Sequence, residues 1–308
     1  MDISYTALRD RLARDTAAVI RESEEGYRRK VADVVDRVLG DPRRRIILLA
    51  GPSSSGKTTT AALLSSELLA RGHRAHVLSL DDFYRPLDAP DYPRDEHGLP
   101  DYETVDALEV GEIHDCLGTL LDGGEYPVPR FDFTLRRRVE ERTPLRLAEG
   151  DLLVVEGLHA LNPRLSAGLA EEGLFRLFIS VSTNLLDGEG ERVLTGRKMR
   201  FVRRLVRDFY HRASDAARTY TLWQSVVRGE EKYLYPYRGT ADVAIDTFHP
   251  YEVGVLRPMA ERLLAADGAP RTAYVDVIRR ALRGFAPLER ECVPPTSLLC
   301  EFLPRDGV

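Results

Sequence analysis

Hydrophobic residues in this sequence recur at helical spacing near the N-terminus and form short continuous runs further along the chain. Four valines between positions 31 and 38 keep the i, i+3, i+4, i+7 spacing of one helical face. Gly40 and Pro42 then supply a stop signal. The pattern predicts a single helix over residues 5–39, which we interpret as a helical extension occupying residues 1–41.

The apolar runs beyond this extension predict strands that alternate with helices. The first run, at 46–50, precedes a helical pattern at 57–71 and a second strand at 75–80, so these segments predict a parallel pair of strands. The remaining predictions are a helix at 108–121 and strands at 152–155, 175–181 and 241–245. Such alternation indicates an α/β domain with a doubly wound parallel sheet over residues 42–286.

Two further segments lack this periodicity. Residues 84–105 are rich in Pro, Asp and Gly, and they form a connection longer than a simple linker in a compact domain. We therefore expect them to shape a substrate pocket. The tail at 287–308 contains the pair Pro294-Pro295 and is predicted to be a surface strap.

Composition and charge narrow the class of protein. The 308 residues are 43% hydrophobic and 30% charged, a balance typical of ordinary soluble globular proteins. A net charge of −5 disfavours bulk attraction to nucleic acid, and no apolar run approaches the ~20 residues that span a bilayer. The three cysteines lack metal-ligand spacing and the N-terminus lacks a signal-peptide pattern, so we expect a cytoplasmic protein. The sequence leaves open whether the chain forms a homo-oligomer.

A glycine-rich segment directly after the first strand carries the strongest chemical signal. The run from Gly51 to Thr58 matches G-x-x-x-x-G-K-[ST], whose glycines let backbone N–H groups wrap phosphate oxygens at the start of a helix. In this motif Lys57 reaches the β- and γ-phosphates of ATP, and the Thr58 hydroxyl ligates Mg²⁺. The candidate ATP-binding residues are Gly51, Ser53, Ser54, Ser55, Gly56, Lys57, Thr58 and Thr59, the last of which also suits the first turn of the helix.

Acidic residues follow two of the other predicted strands. Glu156 comes directly after the run at 152–155, at the sheet edge where ligands bind, and is our second candidate for a Mg²⁺ ligand. Asp81 and Asp82 follow the strand at 75–80. Phosphoryl transfer benefits from a carboxylate that accepts the proton of the attacking hydroxyl, and we predict that Asp81 is this base. Asp82 is better explained as a turn or cap residue.

A strongly basic segment follows the fourth predicted strand. Residues 192–212 contain eight Lys or Arg and one acid, several of them at helical spacings. We predict a helical lid over about 192–232 whose positive charge covers the transferring phosphoryl group, carried by Arg203, Arg204 and Arg207. A solvated basic face is the alternative. RNA binding is disfavoured because no aromatic stacking motif interleaves the arginines.

Taken in order along the chain, these motifs resemble those of the uridine kinase group of P-loop kinases, especially a bacterial branch of uridine kinase-like proteins. The resemblance spans about residues 45–305. The matching segments are 51–59, 79–84, 93–98, 101–103, 129–133, 156–163, 203–208 and 227–231. The resemblance implies an ATP- and Mg²⁺-dependent kinase that acts on a small molecule.

The same resemblance implies roles for individual residues. Asp81 matches the acid that activates the acceptor hydroxyl, and Glu103 matches an acid on the ribose hydroxyls. The aromatic residues of the family's pocket correspond to Tyr84, Tyr102 and Phe131. The lid arginines that contact phosphates correspond to Arg203, Arg204, Arg207 and Arg212. A carboxylate on a cis-diol and aromatic rings against a base would also be a sensible nucleoside site on chemical grounds.

The sequence departs from the family pattern in two places. Nucleoside kinases carry a histidine that helps to read a pyrimidine after the pair Asp132-Phe133, whereas this sequence has Thr134-Leu-Arg136. Arg136 is therefore a candidate substrate-binding residue, since it can donate to a carbonyl but cannot accept a proton. Longer bacterial members carry an N-terminal domain like that of threonyl-tRNA synthetases, and we expect that domain to be missing here.

The sequence thus predicts transfer of the γ-phosphate of ATP to the 5′-hydroxyl of a ribonucleoside, with uridine and cytidine as the first candidates. One alternative is a related kinase for pantothenate or a sugar phosphate, although a phosphorylated acceptor would favour more cations in the acceptor pocket. A second alternative is a regulator that hydrolyses ATP slowly or only binds it. A GTPase-like switch is disfavoured because no Asn-Lys-x-Asp motif is present.

Overall fold

The computed structural model describes residues 1–96, 98–132, 135 and 137–304. Within them the strands are β1 (Asp2–Ser4), β2 (Ile46–Ala50), β3 (Ala75–Ser79), β4 (Glu125–Val128), β5 (Phe131–Asp132), β6 (Arg137–Arg138), β7 (Thr143–Arg146), β8 (Leu152–Gly157), β9 (Leu174–Ser180), β10 (Asn184–Leu186), β11 (Arg192–Leu194) and β12 (Val243–Asp246). The α-helices are α1 (Tyr5–Arg14), α2 (Thr16–Leu39), α3 (Lys57–Ala70), α4 (Val110–Leu121), α5 (Pro163–Ser166), α6 (Gly196–Arg212), α7 (Ala216–Gly229), α8 (Glu252–Ala265) and α9 (Ala273–Arg283). None of the described helices is both long and apolar enough to cross a bilayer.

Five parallel strands form the central sheet, in the order β12-β9-β2-β8-β3. Side chains along each strand alternate between two hydrophobic cores, one on each face. In β2, Ile47 and Leu49 enter the first core, and Ile46 and Leu48 enter the second. Helices α2, α3, α6, α8 and α9 cover the first core, while α4 covers the second. The predicted doubly wound α/β fold is confirmed.

The carboxyl ends of three neighbouring strands bring the predicted motifs to one edge of the sheet. Ala50, the residue before the glycine-rich loop, pairs with Gly157 on β8, and Ser79 on β3 pairs with Glu156. The strand β8 continues to Gly157, beyond its predicted end, because it pairs with strands on both sides. Glu156 therefore lies within the strand and not after it, which holds its backbone rigidly.

The N-terminal extension is two helices and not the single helix that the valine pattern predicts. The backbone breaks at Asp15 (φ −154°, ψ 79°), whose side chain caps α2 by accepting the Ala18 N–H at 2.9 Å. The helix α2 packs against the first core, and its Tyr27 hydroxyl lies 2.6 Å from the Thr60 hydroxyl on α3. The extension thus contacts the helix that follows the glycine-rich loop. The proposed boundaries at residues 41 and 286 stay predictions.

The C-terminal tail is not the surface strap that its prolines suggested. Leu298, Leu299 and Phe302 have no exposed surface and belong to the first core. Leu298 packs directly on the glycine-rich loop, because a Cβ atom at position 56 would lie 2.5 Å from its Cδ1. The apolar residues after Pro295 outweigh the turn signal, so this segment closes the core beside the loop.

Candidate active site

The glycine-rich loop, residues 51–58, turns tightly at the N-terminus of α3. Gly56 has a φ of 93°, in the left-handed region that glycine adopts without strain. A Cβ atom at position 51 would lie only 2.4 Å from the carbonyl oxygen of Ile179, so glycine lets the loop pass close to β9. The buried hydroxyls of Ser54 and Ser55 have no hydrogen-bond partner among the described residues. Unpaired donors at a helix N-terminus suit a phosphate ligand.

A buried ion pair holds this loop from behind. Arg200 donates to the carboxylate of Glu230 at 2.7 and 2.8 Å and to the carbonyl of Ser53 at 3.0 Å. Glu230 in turn accepts the Ser53 N–H at 2.8 Å. These extra hydrogen bonds offset the desolvation cost of burying both charges. Ser53 is therefore fixed through both backbone groups, and its N–H is already occupied.

The structure does not bring Arg203 to the cleft, which corrects the predicted phosphate contact. Its guanidinium is fully buried and donates to both carboxylate oxygens of Glu252, at 2.5 and 2.9 Å, and to the carbonyl of Thr247 at 2.7 Å. Consecutive helical residues point about 100° apart, so Arg203 faces the core where Arg204 faces the loop. Arg203 instead reaches the carbonyl of Ser54 at 3.4 Å and supports the loop.

Three other arginines of α6 line the cleft and share one carboxylate, Asp208. Arg204 lies 3.1 Å from it, Arg207 2.8 Å and Arg212 3.8 Å. Burial opposes ionisation of Asp208, but the charges of Arg207 and Arg204 outweigh it and lower its pKa. The positive charge of Arg207 and burial lower the pKa of Arg212 to about 10. Three cations therefore converge on this wall of the cleft, where they suit a phosphate ligand.

Thr58 and Glu156 form the part of the cleft that could hold a metal ion. The Thr58 hydroxyl lies 3.5 Å from Glu156 Oε1, which also accepts the Ser79 hydroxyl at 2.8 Å. Burial and the negative charge of Asp81 raise the pKa of Glu156 to about 7, while the positive charge of Lys57 opposes the shift. In the described part of the chain, no three His, Cys, Asp or Glu side chains cluster around a point. One carboxylate and one hydroxyl fit Mg²⁺, which takes its remaining ligands from water and phosphates.

The two neighbouring acids after β3 are placed differently. Asp82 accepts the backbone N–H of Phe131 at 3.1 Å, and burial raises its pKa, so it anchors a loop. Asp81 lines the cleft. Its negative charge contributes to the raised pKa values of both Glu156 and Glu103, so it lies near each of them. Asp81 therefore lies in the cleft, near both Glu156 and Glu103.

The cleft has a volume of about 780 Å³, within the range of small-molecule sites. Its walls come from the glycine-rich loop, the segment 84–103, and the helices α6 and α7. The predicted aromatic residues Tyr84, Tyr102 and Phe131 all line it, and the rings of Tyr84 and Phe131 lie 5.7 Å apart. The predicted residue Arg136 lies outside the described residues. The structure thus brings most of the predicted ATP and acceptor residues into one cavity.

Glu103 lies in the same cleft. Burial raises its pKa to about 7; the positive charge of Arg204 opposes the shift, and the charges of Glu230 and Asp81 add to it. Its backbone N–H donates to Asp101 Oδ1 at 3.0 Å. Among the residues that the structure describes, its carboxylate makes no ion pair, so it is suited to accept hydrogen bonds from hydroxyl groups of a ligand.

Several residues at the site were missed by reasoning from the sequence. Glu230 and Gly229 fall in the segment 227–231, whose motif matches the family pattern but does not indicate what these two residues contact. Arg200 was visible only as one member of the basic run. Glu301 lines the cleft from the C-terminal tail, and no local pattern pointed to it. Each acts through a contact between segments far apart in the sequence.

Known proteins are similar to part of this chain. A uridine kinase from Saccharomyces cerevisiae is 25% identical over 170 residues, which cover 55% of this chain and 30% of that protein. The uridine-cytidine kinase B of Dictyostelium discoideum is 24% identical over 173 residues, covering 56% of this chain and 63% of that one. The chain thus spans less than two thirds of either relative. A solved structure described as a possible uridine kinase from Bacillus stearothermophilus has 19% identity and a TM-score of 0.42, covering 66% of this chain and 89% of that one.

The family model covers a larger part of the fold. The model of the phosphoribulokinase / uridine kinase family matches residues 46–253, from the first strand of the central sheet to the start of α8. This stretch contains the glycine-rich loop, both acids after β3, Glu156 and the arginines of α6. Both activities named in the description of this family are kinases. The chain belongs to the phosphoribulokinase / uridine kinase family.

Proposed function

We propose that this chain transfers the γ-phosphate of ATP to the 5′-hydroxyl of a ribonucleoside. The observation that carries the proposal is that Asp81 lines the same cleft as Lys57 and Glu156, on the one hand, and Glu103 and the aromatic residues, on the other. An acceptor hydroxyl held by Glu103 and the aromatic residues would lie beside Asp81. A phosphate held by Lys57 would occupy the same cleft.

Each residue then has a chemical role. Asp81 accepts the proton as the acceptor oxygen forms its bond to the γ-phosphorus, the bond to the β,γ-bridging oxygen breaks, and ADP leaves. Lys57 and the cleft-facing Arg204 and Arg207 stabilise the negative charge on the transferring group. Mg²⁺, held by Thr58 and Glu156, would neutralise charge on the β- and γ-phosphates.

The acceptor assignment depends on Glu103. Its carboxylate can accept hydrogen bonds from both hydroxyls of a ribose, and the rings of Tyr84 and Phe131 can contact a base. A buried carboxylate that loses these partners is left unsatisfied, at ~1–3 kcal/mol or more. A 2′-deoxynucleoside should therefore be a poorer acceptor by roughly tenfold to a hundredfold. Uridine and cytidine are the first candidates because the curated relatives carry those names.

A sugar phosphate is the second candidate acceptor. Arg218 and Arg228, both exposed on α7, line the cleft together with Arg212. Cations on the acceptor side favour a substrate that already carries a phosphate. The described contacts give neither Arg218 nor Arg228 a side-chain carboxylate partner, so both could bind such a group.

The test is ADP release measured with a panel of ribonucleosides, 2′-deoxynucleosides, pantothenate and ribulose 5-phosphate. We expect ribonucleosides to stimulate release and Glu103→Ala to remove the preference for ribose over deoxyribose. Stimulation by ribulose 5-phosphate alone would show that the second candidate is correct. Slow release that no acceptor changes would indicate a protein that only binds or hydrolyses ATP.

A further inference from the structure

The tail segment 297–303 is fixed beside the phosphate-binding loop by apolar contacts. Leu298 fills the space next to Gly56, and Leu299 and Phe302 are fully buried. The ring of Phe302 also lies 5.0 Å from the guanidinium carbon of Arg203, a cation–π contact. Buried apolar contacts therefore fix the backbone of this segment beside the loop.

One polar side chain of this segment enters the cleft. Glu301 lines the cavity together with Lys57 and Thr58. Its Oε2 accepts the backbone N–H of Thr59 at 3.3 Å and the Thr59 hydroxyl at 2.9 Å. These donors belong to the first turn of α3, which directly follows the loop. The first-turn N–H groups of such a helix are the donors that bind the phosphates of a nucleotide.

A carboxylate at this position competes with a phosphate for two reasons. One N–H hydrogen can make a single good hydrogen bond, so Glu301 and a phosphate oxygen cannot both use the Thr59 donor fully. Two anions in one partly buried site also repel each other. The positive end of α3 stabilises whichever anion is present, so it favours Glu301 in the empty site and phosphate in the occupied one.

We propose that Glu301 is an internal competitor of the nucleotide phosphates, which holds the Thr59 donors until a polyphosphate displaces its side chain. Displacement needs only rotation of that side chain, because the buried neighbours keep the backbone docked. The carboxylate therefore lowers the affinity of the cleft for ATP and ADP. Glu301 lies beyond residue 253, where the match to the family model ends. The proposal concerns the ATP side of the cleft and is independent of the acceptor.

The test is direct calorimetric binding of inorganic tripolyphosphate and of ADP to wild type, Glu301→Gln and Glu301→Ala. Glutamine keeps an oxygen that can accept from Thr59 but removes the charge. Both variants should bind tripolyphosphate and ADP more tightly by roughly tenfold, equivalent to ~1.4 kcal/mol. The gain should shrink at high ionic strength, because salt screens repulsion between charges.

The matched control is Glu289→Gln, which removes one exposed acid of the same tail outside the cleft and should leave both affinities unchanged. Unchanged or weaker binding of tripolyphosphate by both Glu301 variants would overturn the proposal. Weaker ADP binding with unchanged tripolyphosphate binding would also overturn it, and would show that Glu301 contacts the nucleoside part of the nucleotide. Neither outcome depends on which acceptor is phosphorylated.

Discussion

Gly229 and Glu103 are packed so closely that a Cβ atom at position 229 would lie 2.2 Å from the Cβ of Glu103. The glycine at the end of α7 thus allows Glu103 to pack directly against the helix. Gly229→Ala should push Glu103 out of position and lower kcat/KM for the ribonucleoside by about tenfold to a hundredfold. Affinity for ADP should change little, and both values can be obtained from steady-state kinetics and calorimetry.

The matched control for this change is Gly111→Ala in α4, where an added Cβ meets no atom within 4 Å. It should behave as wild type in both measurements. An equal loss of activity in both alanine variants would mean that the contact between Gly229 and Glu103 does not position the acceptor.

Two adjacent glutamates should differ in their contribution to stability. Glu230 forms the buried pair with Arg200 behind the phosphate-binding loop, whereas Glu231 pairs with Arg197 at the surface. Glu230→Ala leaves Arg200 buried without a counter-charge and should cost ~3–5 kcal/mol of unfolding free energy. Glu231→Ala should cost about 1 kcal/mol or less, because solvent screens that pair. Urea unfolding of both variants compares them directly, and equal costs would contradict the proposed support of the loop.

Replacing each of the two acids after β3 should have a different effect on the rate. Asp81→Asn should lower kcat by roughly a hundredfold to ten-thousandfold, because it removes the carboxylate proposed to take the proton from the attacking hydroxyl. Asp82→Asn should keep kcat within about tenfold, since its amide oxygen can still accept the Phe131 N–H. Single-turnover rates at saturating ATP make the comparison. The opposite ranking would move the base to Asp82.

The pKa of Glu103 predicts an effect of pH on acceptor binding. Burial raises this pKa to about 7, and the proposed recognition of ribose uses the ionised carboxylate. The KM for a ribonucleoside should therefore fall as the pH rises through about 7. Glu103→Gln should remove this dependence, and a wild-type KM that stays constant across neutral pH would contradict the assigned role.

The same shift predicts the direction of a stability change. The folded pKa of Glu103 exceeds its ordinary value of 4.5, so the folded protein binds more protons than the unfolded chain between these values. The contribution of Glu103 to the free energy of unfolding is thus complete below pH about 4.5 and is lost as the pH rises to about 7. Thermal unfolding of wild type and Glu103→Gln across this pH interval should show that the free energy of unfolding falls less in the variant.

The features that the sequence by itself determined are those encoded by neighbouring residues. The run Ile46–Ala50, the glycines of residues 51–58 and the helix after them form a local unit, and its strand, turn and helix follow from residue types within a few positions. Because parallel strands all present their carboxyl ends at one sheet edge, the meeting of Asp81, Glu156 and this loop could also be predicted.

The tertiary structure decided what depends on segments far apart in the chain. Arg203 and Arg204 are chemically identical neighbours, yet Glu252 and Thr247 draw the first into the core while the second faces Ser53 in the loop. Glu301 reaches Thr59 across 242 positions of sequence. A local pattern shows which residues share one face of a helix, but it does not show what that face contacts. Burial and charge pairing between distant segments decide which face meets the core and which meets the substrate.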